Sequence, residues 1–67
     1  MKPQTNIQVD CRTTAEAEAA LEDGKIPVLF GNVFLSVRVN CRIICAPGSK
    51  PHVVARESSQ PHVVARG

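Results

Sequence analysis

Six consecutive residues, Pro51-His52-Val53-Val54-Ala55-Arg56, recur unchanged as Pro61-His62-Val63-Val64-Ala65-Arg66. An identical match of that length in a 67-residue chain is not chance, and it restricts what the chain can fold into. Carried backward, the ten-residue period aligns Val33, Ile43, Val53 and Val63, then Phe34, Ile44, Val54 and Val64, then Leu35, Cys45, Ala55 and Ala65. Ser49 falls in phase with Ser59. Each unit is an apolar triplet followed by a polar turn segment, Ala46-Pro47-Gly48-Ser49 or Glu57-Ser58-Ser59-Gln60. Two architectures fit. In a β-solenoid each unit is a rung, and equivalent residues stack at the ~4.8 Å strand spacing. In an antiparallel meander the units are successive strands joined by Pro/Gly/Ser turns. Stacking rewards identical residues and hairpins do not require them, so the solenoid is the favoured expectation.

The rest of the chain supports a mainly β fold. From Val33 to Cys45 every odd position is apolar, and the even ones include Ser36, Arg38, Asn40 and Arg42. This alternation buries one face and leaves the other in water, with a bend near Asn40. Val28-Leu29-Phe30 and Val33-Phe34-Leu35 are dense in strand formers on either side of the turn pair Gly31-Asn32. Ile7, Val9 and Cys11 alternate with Gln8 and Asp10, which predicts a short opening strand. Between these, Thr13 stands three residues before Glu16, the spacing that closes a helix N-terminus. The run Ala15 to Glu22 has high helix propensity, and Gly24 is placed to stop it. The spacing predicts a helix over about Thr14–Asp23, its apolar face mostly alanine with Leu21. The expected architecture is one domain over 1–67. Residues 1–25 supply a strand and a helix that caps the first rung, and 26–67 the β repeats.

A domain this small buries only about 60% of its unfolded surface, and such a core rarely supplies more than ~3–5 kcal/mol. Trp and Tyr are absent and Phe30 and Phe34 are the only aromatics, so the usual anchors of binding hot spots and base-stacking platforms are nearly missing. Residues 1–35 carry three basic and five acidic side chains, whereas 36–67 carry five basic and one acidic. The basic half favours an anionic partner, although a solvated surface is the commoner meaning of such spaced charges. No apolar run approaches the ~20 residues of a membrane span, and the N-terminus has no secretory h-region; a cytoplasmic location and free thiols are the expectation.

Catalytic and metal chemistry find little support. Cys41, Cys45, His52 and His62 are the only metal-ligand candidates, but the cysteine spacing is wide for zinc and both fall on the inward side of the strand pattern. No metal site or other cofactor is expected. Nothing brings Cys11 and Asp10 together with a histidine as nucleophilic catalysis requires. Glu18 and Glu22 share a helix face, more often solvated than catalytic. No phosphate-binding glycine loop occurs, so the chain is not expected to be an enzyme or to act on a small-molecule substrate. The candidate interaction residues are Arg38, Arg42, His52, Arg56, His62 and Arg66. The histidines, repeat-equivalent, would form a ladder in a one-unit rung, and the arginines a row able to track nucleic-acid phosphates.

The segment Ser58-Ser59-Gln60-Pro61-His62-Val63-Val64-Ala65-Arg66-Gly67 resembles the degenerate-repeat proteins of bacteria and their phages, whose units of the type Ser-Ser-x-x-x-Val-x-Ala-x-Gly run in arrays expected to form β-solenoids. The N-terminal strand and helix, followed by Gly24-Lys25-Ile26-Pro27-Val28, also look like the segment leading into such arrays. The resemblance implies a bacterial or phage-encoded setting and no catalytic residues. The expected role is a structural or protein-interaction module that self-associates, or binds a protein partner, through its repeat edge. The alternative is a small phage-encoded inhibitor of a host defence protein or nucleoprotein complex.

Overall fold

In the computed structural model, which describes residues 3–66, the chain forms β1 (Gln8–Cys11), α1 (Thr14–Glu22), β2 (Ile26–Leu29), β3 (Phe34–Val37), β4 (Arg42–Cys45), β5 (His52–Ala55) and β6 (His62–Ala65). From β2 onward, consecutive strands alternate between two sheets, a four-stranded one ordered β1-β2-β4-β6 and a two-stranded one of β3 and β5. Every pairing is parallel. The antiparallel meander is therefore excluded, because hairpin turns join neighbouring strands only in opposite directions.

The ten-residue unit is not the stacking unit. Val28 pairs with Ile44, Leu35 with Val53 and Ile43 with Val63, offsets of sixteen, eighteen and twenty residues. The growth follows from the connections: residues 30–33 and 38–41 are four long, whereas 46–51 and 56–61 are six. The two copies of Pro-His-Val-Val-Ala-Arg thus lie in different sheets, and each pairs with a strand of different sequence. Because all four connections are even in length, odd positions keep facing the space between the sheets, as a period of two requires.

That space holds the main core: Cys11, Leu29, Val33, Leu35, Val37 and Ile43, with Ala17, Ala20 and Leu21 of the helix. The sequence supports the helix as expected. Thr13 Oγ1 accepts from the Glu16 amide at 3.2 Å, while Glu16 Oε1 accepts from the Arg12 amide at 2.8 Å, so two orphan donors are satisfied. At the other end Gly24 adopts φ 73°, and its amide and that of Lys25 donate to Leu21 O and Ala20 O, the αL stop that glycine favours. Alanines let α1 lie close to the strands. Thr14 Oγ1 donates to the Phe34 carbonyl at 2.6 Å, so the first turn of the helix occupies the edge of β3 where a further strand would pair.

Pro27 sits in β2 between β1 and β4 and lacks an N–H. The β2–β4 register covers only two residue pairs, Val28–Ile44 and Leu29–Cys45. Beside the gap, the Gln4 side-chain amide takes over: its Oε1 accepts from Arg42 N at 2.7 Å, and its Nε2 donates to Arg42 O at 3.0 Å. A distant glutamine thus supplies the pairing that a proline strand cannot.

Candidate functional site

The outward face of the four-stranded sheet is apolar at its centre. Ile26, Val28, Ile44 and Ala46 form a second cluster with Phe30 packed against it. Outward residues of a two-sheet fold normally face water, yet Ile26 and Ile44 are buried. Long polar side chains provide the cover. Arg66 donates to Gln8 Oε1 at 2.9 Å, linking the last strand's end to β1, and the Arg12 guanidinium lies 4.7 Å from the Phe30 ring centroid.

On this face, beside the Arg66–Gln8 pair, lies a cleft of about 580 Å³, lined by Asn6, Gln8, Ile26, Arg42, Ile44, His62, Val64 and Arg66. Its floor is Ile26, Ile44 and Val64. The parallel register places Arg42 directly beside His62 and Ile44 beside Val64. Among the described residues, no Asp or Glu lines this cleft. The cleft is therefore a cationic rim around an aliphatic floor.

The other sequence candidates lie elsewhere. His52 faces outward from the two-stranded sheet and stacks on Phe34, ring centroids 4.6 Å apart. It does not meet His62, which belongs to the other sheet. The expected histidine ladder is absent because two units, not one, complete each pass through both sheets. For the same reason the repeat-equivalent Arg56 and Arg66 follow strands of different sheets. Arg38 faces Glu57 at 3.9 Å with both side chains well exposed. The arginines thus form two separated groups rather than one row. Glu18 and Glu22 flank a hollow of about 520 Å³ that also includes Leu21, Val37 and Arg38.

The three cysteines are free. Cys11 is fully buried and Cys41 packs against the main core. Burial pushes all three thiols up from their ordinary 9.0, with the Glu16 and Asp10 carboxylates adding to the effect at Cys11. A raised pKa removes thiolate and with it nucleophilicity. Cys41 and Cys45 do not converge with His52 and His62, and among the described residues no group of three or more His, Cys, Asp or Glu could hold a metal ion.

At the C-terminal strands the core opens. The inward position that is 0% exposed at Ile43 is 44% exposed at its register partner Val63. All four residues of β6 are exposed. Among the described residues, one edge of β6 and one edge of β5 have no strand partner. Gln4 and Gln8, which hold Arg42 and Arg66, carried no sequence signal: a glutamine in a polar segment and one at the outward position of a strand both look like solvent-facing residues. Among the described residues no helix is long and apolar enough to cross a membrane. Comparison with protein-family models, curated proteins and solved structures finds no match.

Proposed function

We propose that the chain is a non-catalytic structural or protein-interaction module of the β-solenoid type, working through the free edges of β5 and β6. The observation that carries this reading is Val63, an inward core residue left 44% exposed on an unpaired strand. A parallel strand with a free edge presents unpaired N–H and C=O groups that another strand can satisfy. The end is also stepped: the four-stranded sheet reaches β6, whereas the two-stranded sheet stops at β5. An added strand facing β6 would cover Val63 and complete the inter-sheet core.

The opposite end supports the same reading by contrast. There α1 lies against β3 and buries Ala17, Ala20 and Leu21, in the manner of a polar cap on a repeat stack. Among the described residues, one end is closed to further strands in the two-stranded sheet, and the other is open in both sheets. Self-association through the open end is the simplest use of it.

Size-exclusion chromatography with light scattering in reducing buffer tests this directly. The expected result is a concentration-dependent mass above the 7.2 kDa monomer, abolished by Val63→Lys. A monomer at every concentration removes self-association and leaves only the heterologous-partner form of this reading. A mass unchanged by Val63→Lys moves the interface away from this edge.

A further inference from the structure

The cleft on the outward face of the four-stranded sheet is separate from the strand edges and has its own chemistry. We infer that it binds an anion carried on an aliphatic body, a medium-chain carboxylate being the simplest example. The inference goes beyond the interaction role of the edges and does not depend on it.

The floor is the first reason. Ile44 and Val64 are register partners on β4 and β6, and Ile26 on β2 lies diagonally beside them, two residues before Val28, the β2 partner of Ile44, so the three form a bent aliphatic patch. Strands are ~4.8 Å apart, so the patch spans about 10 Å from β2 to β6, and a short alkyl chain would cross it on the diagonal. Ile26 and Ile44 are already buried, and Arg66 reaches across this face to Gln8, so the aliphatic surface the cleft still offers is chiefly Val64, 41% exposed, which gains from being covered.

The rim is the second. Arg42 and Arg66 bring guanidinium groups to the cleft, His62 stands beside Arg42, and among the described residues no Asp or Glu lines it. The side chain of Gln8 accepts from Arg66 and turns its guanidinium across the sheet face. The backbone of Arg42 is fixed by the paired hydrogen bonds to Gln4. A guanidinium presents a planar fork of donors matched to a carboxylate, and orienting it beforehand reduces the ordering needed on binding. Asn6 and Gln8 add amides able to hydrogen-bond the remaining carboxylate oxygen.

The size is the third. About 580 Å³ lies within the range of small-ligand sites. Arg42, His62 and Arg66 are exposed, so the anionic head meets the rim without any strand moving.

The test is a titration of the full chain with octanoate, octanol and octylamine, followed by amide chemical shifts. Octanoate is expected to shift the amides of Arg42, Ile44, His62 and Val64, with octanol at least about tenfold weaker and octylamine silent, because the charge-assisted contact is lost or reversed. Arg42→Gln and Arg66→Gln, both at exposed side chains, are each expected to weaken octanoate about tenfold while leaving the remaining spectrum in place. Equal shifts from octanol and octanoate would overturn anion recognition and leave a plain apolar groove. No shift from octanoate up to millimolar concentration would overturn the site. Shifts confined to β5 and the β6 edge would assign the ligand to the open end instead.

Discussion

Ile43 and Val63 occupy register-paired inward positions of neighbouring parallel strands, yet one is completely buried and the other nearly half exposed. The same contrast runs through the molecule. In β1 to β4 the inward residues Cys11, Leu29, Leu35, Val37 and Ile43 are sealed between two sheets and a helix. In β5 and β6, the most regular part of the sequence, Val53 is only partly buried and Val54, Val63 and Val64 are exposed. Regular sequence does not by itself confer burial. A strand in a stack is buried by the neighbours on its two edges and by the strand facing it, and β6 has one neighbour and no facing strand among the described residues. The irregular half, with its helix, its proline strand and its short turns, is the half that holds the fold together.

The sharpest way to break this comparison is a pair of truncations. Ile43→Ala removes a fully buried side chain and is expected to cost about 3 kcal/mol, most of what a domain of this size has. Val63→Ala is expected to cost well under 1 kcal/mol in the monomer, because its side chain already meets water. Urea denaturation followed by circular dichroism measures both. Equal losses would mean that β6 is covered in solution, and a concentration-dependent loss at Val63 would identify a second copy as the cover.

Gln4→Ala should come next. It leaves the Arg42 amide and carbonyl without their partner beside Pro27, and a loss of about 1–2 kcal/mol is expected in the same denaturation experiment. Hydrogen exchange should speed at Arg42 and not at His62, which locates the effect in the proline-side gap rather than at the free edge.

The two six-residue connections offer a smaller and more local comparison. Ser49 N donates to Ala46 O and Ser59 N to Arg56 O, so both are four-residue turns at the same place in the repeat. The first holds Pro47 and Gly48, with Gly48 at φ 76°; the second holds Glu57 at φ 55° and Ser58 at φ 62°. A left-handed conformation costs a non-glycine residue roughly 1 kcal/mol. Ser58→Gly is therefore expected to stabilise by several tenths to about 1 kcal/mol and Gly48→Ala to destabilise by a similar amount, read as shifts in denaturation midpoint. A loss on Ser58→Gly or a gain on Gly48→Ala would mean that the positive φ is not what limits these turns.

The smallest expected effect is with pH. Each thiol is raised above 9.0 by burial in the folded state. The folded protein then holds those protons more tightly than the unfolded chain. The stabilisation is fully present below pH 9 and is lost as pH rises toward the folded values. Denaturation midpoints should fall above about pH 9, and replacement of Cys11 and Cys41 by alanine should flatten that fall. Alkylation in the native state should be slowest at Cys11, the only one of the three that is fully buried.

Much of the local structure was legible in the residues. The Thr13/Glu16 spacing and Gly24 set the two ends of the helix because capping is chemistry within a few residues of the chain. Alternation set which side chains of residues 33–45 face inward, with Val39 the exception at the bend, 39% exposed. Ser49 and Ser59, matched by the period, also behave alike: Ser49 Oγ accepts from Gly31 N and Ser59 Oγ donates to Val37 O, each tying a turn to the preceding pass of the chain. The candidate site was legible only in part. Arg42, His62 and Arg66 stood out as basic residues in apolar strands, but their meeting across the apolar floor, and the removal of His52 and Arg56 to other surfaces, depended on which strand lies in which sheet.

The sequence by itself determined the elements, their inward and outward faces and their turns, since capping, alternation and turn geometry act over fewer than ten residues. Only the tertiary structure decided that two units are needed for each pass through both sheets. The reason is that a repeat specifies which residues are equivalent, while pairing depends on the lengths of the connections that bring the chain back. Four- and six-residue connections returned it after sixteen, eighteen and twenty residues, which separated His52 from His62 and set Arg42 beside the latter.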